Sequence, residues 1–101
     1  MKIIDKASWQ IDGGIQKSAV KKHFETVFCW LDCKNMLTPD GKEEFDFGFD
    51  ESSSINEQLI SLEALAFLES RYDEYLKSVE YGVDSGAIVL ERIYYDYVNV
   101  K

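Results

Sequence analysis

Val20, Phe24, Val27, Phe28 and Leu31 fall at steps of four, three, one and three, the cleanest helical period in the chain. They predict an amphipathic helix over residues 17–34. Ala19, His23 and Trp30 flank its stripe, and Lys17, Lys21, Lys22, Glu25, Thr26 and Asp32 face water. The rest of the chain has to cover that stripe.

Residues 1–15 read as extended or irregular, and Asp12-Gly13-Gly14 predicts a sharp bend that folds Trp9 back on the central helix. A phosphate cradle at the glycine pair would need a following lysine at P-loop spacing and a preceding strand. After a break near Asn35, Thr38, Pro39 and Asp40 supply a hydroxyl cap, a first residue without an N–H and an acid at the positive helix end. The helix they start runs to Phe45 or Phe47, and Gly48 ends it.

Residues 50–54 form a polar linker, Ile55 to Leu59 suit a helix, and Ser61 offers a second cap behind Ile60. Leu37-Thr38-x-x-Gly41-x-x-x-Phe45 and Ile60-Ser61-x-x-Ala64-x-x-x-Leu68 spell the same local device twice. Leu65, Leu68, Tyr72, Tyr75, Leu76 and Val79 carry a helix on from Leu62, and residues 82–86 form a loop. Residues 87–98 have strand-like composition but keep helical spacing at Leu90, Ile93, Tyr94 and Tyr97. The expected architecture is all-α: four to five helices around the central one, an irregular N-terminal segment and little or no sheet, in a single domain over residues 1–101.

Charge changes this picture more than composition does. The net charge is −8, but residues 1–42 hold seven lysines against five acids, and residues 43–101 hold four cations against fourteen. Such a surface repels phosphate backbones, which argues against direct nucleic-acid binding, and attracts basic proteins. No apolar run is long enough to span a bilayer and the start lacks a secretory pattern, so a cytoplasmic protein is expected, with no membrane partner. In a reducing compartment Cys29 and Cys33 are expected as buried or half-buried free thiols, since an intact helix turn disfavours a bridge between them.

The residues give no trusted catalytic constellation. His23 lacks the nearby nucleophile or carboxylate that a general base needs, so it is expected as a packed histidine bonded through one ring nitrogen. Asp46-x-Gly48-x-Asp50 matches a calcium loop only in part; no metal and no cofactor are expected. Glu43, Glu44, Asp46, Asp50 and Glu51 are interleaved with Phe45, Phe47 and Phe49, which suits docking on a basic protein: aromatics anchor and charges steer. Tyr94 and Tyr95 cannot face the same way on a helix, so at least one is expected at the surface.

Asp5-x-Ala7-Ser8-Trp9, then Gly13-Gly14, then His23 and Trp30 resemble a family of small, uncharacterised bacterial proteins. Ser61-Leu62-Glu63-Ala64 through Tyr72 resembles its Glu-Glu-Gly-like helix start, with Ala64 where that family tends to have glycine. The resemblance implies a place in polymorphic-toxin loci, where small acidic proteins act as immunity factors. The resulting expectation is a non-enzymatic immunity protein that occludes the basic active-site cleft of a cognate nuclease-like toxin. Asp46, Phe47, Phe49, Asp50, Glu51, Tyr94 and Tyr95 are its expected partner-binding residues. The alternative is a structural or regulatory subunit that forms a homodimer through its tyrosine-rich last segment.

Overall fold

The computed structural model describes residues 1–78 and 86–99. In chain order it contains β1 (Ile3–Lys6), α1 (Ala7–Asp12), α2 (Lys17–Cys33), α3 (Pro39–Phe47), β2 (Ser54–Asn56), α4 (Leu62–Ser78) and α5 (Gly86–Asn99). The chain is mostly helical, but the all-α expectation is corrected by a small antiparallel sheet.

The stripe of α2 is fully enclosed: Phe24, Val27, Phe28 and Leu31 lose all contact with solvent, and Val20, His23 and Trp30 nearly all. α5 and α1 are its main helical covers, with α4 packed on α5 behind it. Asn35 ends the helix in the left-handed region, at φ 58°. The Met36 N–H then reaches the Leu31 carbonyl at 2.8 Å and the Asn35 N–H reaches that of Asp32 at 3.0 Å, a Schellman closure with asparagine in glycine's usual place.

The two copies of the capping device lie side by side. Thr38 Oγ1 accepts from the Gly41 N–H at 3.1 Å and starts α3, while Ser61 Oγ accepts from the Ala64 N–H at 3.2 Å and starts α4. Leu37 and Ile60, the apolar residue before each cap, form an antiparallel bridge. The Thr38 N–H donates to the Leu59 carbonyl and the Ser61 N–H to that of Met36, at 3.1 and 2.8 Å. What reads as a repeated local motif is therefore a tertiary joint between two helix starts. Gly48, at φ 99°, ends α3 as expected.

Within residues 1–15, Ile3–Lys6 are extended, one of the two expected forms, while Ala7–Asp12 form a helix instead of an irregular segment. β1 pairs with β2 across the register Ile3↔Asn56, Asp5↔Ile55 and Lys6↔Ser54, so Ile4 is the extra residue of a bulge. This pairing takes residues 54–56 out of the helix expected near Ile55. The bulge breaks the alternation of the strand, and Asp5 faces the core while Ile3 stays at the edge. Trp9 does not fold onto α2: it is 52% exposed, with the Lys6 ammonium 5.7 Å from its ring, and Ile11 makes the inward contact instead. Cys29 and Cys33 are exposed, not buried, because they lie on the wet side of α2 with Glu25 and Asp32. Residues 87–98 are helical, as their spacing predicts. Val79, Tyr81 and most of the loop expected at 82–86 lie outside the described residues.

Candidate functional site

α3 is short, polar and covered on one side only. Gly41 and half-buried Phe45 turn toward the core, which leaves Asp40, Glu43, Glu44 and Phe47, at i, i+3, i+4 and i+7, along the opposite face. These four side chains line one shallow cleft of about 380 Å³ with Gln58 and Leu59. A second cleft of about 230 Å³ shares Glu44, Phe47, Gln58 and Leu59 and continues to Asp50 and Ser54. Phe47 stands between them, 85% exposed.

Several carboxylates elsewhere have a cationic partner. Glu51 meets Lys17 at 2.9 Å, Glu69 meets Lys2 at 3.2 Å, Glu74 and Asp96 share Arg71 at 3.1 Å, and Glu91 is bonded to Lys34. Among the described residues no cation pairs with Asp40, Glu43 or Glu44. The site thus joins an apolar ring held in water to unneutralised negative charge.

The expected binding residues divide. Phe47 belongs to this surface. Phe49 does not: it is 6% exposed, its ring 4.7 Å from that of Phe28 and 6.1 Å from that of Phe24, because the left-handed Gly48 sends the chain inward between the two phenylalanines. Asp46 is exposed but lines neither cleft. Asp50 accepts from the Ser52 hydroxyl and N–H at 2.5 and 2.8 Å, which holds its carboxyl below the ordinary range and ties it to its own turn. Glu51 is committed to Lys17. Asp40, expected from the sequence only as an acid at a helix start, joins the site, and its i, i+7 spacing from Phe47 is the signal for it.

Tyr94 and Tyr95 also part. Tyr94 packs on Trp30 and Phe67, with ring centroids 5.4 and 5.0 Å away, and donates to Glu63 Oε1 at 2.5 Å. That bond, with burial, pushes its hydroxyl up to about 12. Tyr95 is 70% exposed beside Ile88 on the outer face of α5.

His23 is part of a buried chain of polar groups. Its Nε2 lies 2.9 Å from the Tyr72 hydroxyl, which donates to Asp5 Oδ2 at 2.5 Å, and Gln10 Nε2 donates to both Asp5 oxygens at 3.0 and 3.1 Å. With the single hydroxyl proton directed at the carboxylate, the ring N–H of His23 donates to the Tyr72 oxygen. Burial lowers the imidazole to about 4 and raises the Asp5 carboxyl, the latter opposed by the bonds from Tyr72 and Gln10. The trio ties β1, α2 and α4 together beneath the surface. Neither cleft reaches it, so it presents no atom to a substrate there.

Among the described residues no three His, Cys, Asp or Glu side chains converge as a metal site, and no helix is long and apolar enough to cross a membrane. No family model, curated protein or solved structure matches this chain.

Proposed function

We propose that this chain is a binding protein that occludes a basic cleft on another protein, as an immunity protein occludes the active site of a nuclease-like toxin, and catalyses nothing itself. The observation that carries the reading is Phe47, 85% exposed, with Asp40, Glu43 and Glu44 on the same helix face and no cation paired with them among the described residues. A phosphate-binding cleft offers lysines and arginines at a spacing built for a polyanion. Three carboxylates on two turns of helix imitate that polyanion, raise the encounter rate and set the register. Phe47 supplies the desolvated centre that converts encounter into residence. The imbalance of charge toward the second half of the chain favours the same reading. It places the chain in the cytoplasm of the cell it protects.

The test is co-expression with the C-terminal domain encoded by the gene immediately upstream. The reading expects a growth-arresting domain, rescue by this chain, and a complex that survives purification. A domain that is harmless, or that arrests growth equally with this chain present, contradicts it.

A further inference from the structure

The outer face of α5 is used neither by the core nor by the acidic clefts. Ile88, Glu91, Arg92 and Tyr95 follow at i, i+3, i+4 and i+7 and line one shallow, mostly apolar cleft on the seam with α2, beside Cys33 and the edge of Trp30. Ile88 is 66% and Tyr95 70% exposed. One exposed apolar side chain is ordinary, but here two bracket a pair of opposite charges at single-face spacing. Read from either end, the face runs apolar, charged, charged, apolar, with the signs exchanged.

We propose that this face pairs with a second copy of the chain, α5 against α5 and antiparallel. A two-fold axis between positions 91 and 92 sets Ile88 against Tyr95 of the other copy and Arg92 against its Glu91, each contact made twice. The order of charge along the face selects the second copy as occupant: Glu91, which shares its carboxylate with Lys34 of the same cleft, meets Arg92 of the other copy. Arg92 has no ion-pair partner among the described residues. Glu91 is held in place by Trp30 Nε1 at 3.0 Å and by Lys34, so its carboxylate is oriented before the partner arrives. A parallel pairing would instead bring Arg92 against Arg92. Two helix faces widened by the edge of α2 make a small contact, so the pairing is expected to be concentration-dependent. The face shares no residue with the acidic clefts, so this inference stands or falls apart from the proposed function.

Sedimentation equilibrium of the purified chain over roughly 1–200 µM tests it. The native chain is expected to pass from monomer to dimer. Arg92→Glu and Glu91→Arg each place like charges across the axis and are expected to stay monomeric, while their equimolar mixture dimerises, because the charges again alternate. Glu91→Arg also gives up its contacts with Trp30 and Lys34, so circular dichroism must confirm its fold. Should it not fold, Ile88→Cys and Tyr95→Cys chains, each made with Cys29→Ser and Cys33→Ser, are expected to cross-link when mixed and not alone. A native chain that stays monomeric, a dimer indifferent to Arg92→Glu, or single cysteine variants that cross-link as well as the mixture would overturn the proposal.

Discussion

The carbonyl oxygen of Leu59 lies 2.0 Å from the place a Cβ on Gly41 would occupy. The first turn of α3 sits directly on the strand-like joint that also starts α4, and only glycine leaves room. Gly41→Ala is expected to destabilise the chain by about 1–3 kcal/mol through overpacking against backbone that cannot retreat. The midpoint of urea unfolding measures it. Thr38→Ala, which loses the cap to Gly41 and the bond to the Gln58 carbonyl, is expected to cost about 1 kcal/mol.

Tyr72 holds Asp5 and His23 in one chain of hydrogen bonds. Tyr72→Phe removes a donor from a buried carboxylate and is expected to cost about 1–3 kcal/mol. Paired with Asp5→Asn, which removes the charge needing that donor, the loss should be smaller than the sum of the two. A double-mutant cycle by chemical unfolding reads the coupling, expected at about 0.5–3 kcal/mol.

The same network sets a pH dependence. Burial lowers His23 from 6.5 to about 4, so between those values the unfolded chain takes up a proton that the folded chain refuses. Stability is therefore lost as pH falls through that window, by up to roughly 3 kcal/mol from this group. Asp5 has the opposite sign: its carboxyl is raised by burial, so its contribution weakens as pH climbs past the ordinary carboxylate range. His23→Gln keeps an N–H for Tyr72 and does not titrate. Its unfolding free energy, measured against that of the native chain from pH 7 to pH 4, is expected to lack the histidine's part of the acid loss.

Cys29 and Cys33 are both at the surface of α2. Both are expected to react with a thiol reagent in the folded protein without denaturant. Partial desolvation and the neighbouring Cys33 raise the Cys29 thiol, so near pH 8 it should react more slowly in the folded chain than in the unfolded one, as mass spectrometry of partly labelled chains would report. Protection of both thiols until unfolding would contradict their placement.

How far the chain was legible follows from how local each feature is. The stripe of α2 and the start and stop of α3 depend on residues within a turn or two, and Val20 to Leu31, Thr38, Pro39 and Gly48 behave as their types dictate. The strands do not. Ile3, Ile4 and Asp5 find partners some fifty residues away, and nothing in so short a segment announces that pairing or the bulge that turns Asp5 inward. The cap device was visible twice, but not that its two copies bond to each other. Phe47 and Phe49 look alike in sequence and lie on opposite sides of Gly48; only the backbone there decides which is buried. The cysteines were legible in hindsight, since Glu25 and Asp32 mark their side of the helix as wet.

The central claim is that Phe47 and the α3 carboxylates grip a basic surface. Its most direct measurement is the affinity of the purified chain for the upstream-encoded toxin domain, by calorimetry, across a series of salt concentrations. Reversing charge at Asp40, Glu43 and Glu44 is expected to weaken binding at least tenfold and flatten the salt dependence, and Phe47→Ala to cost about 2 kcal/mol with that dependence retained. Affinity and salt response unchanged in both variants would contradict the account.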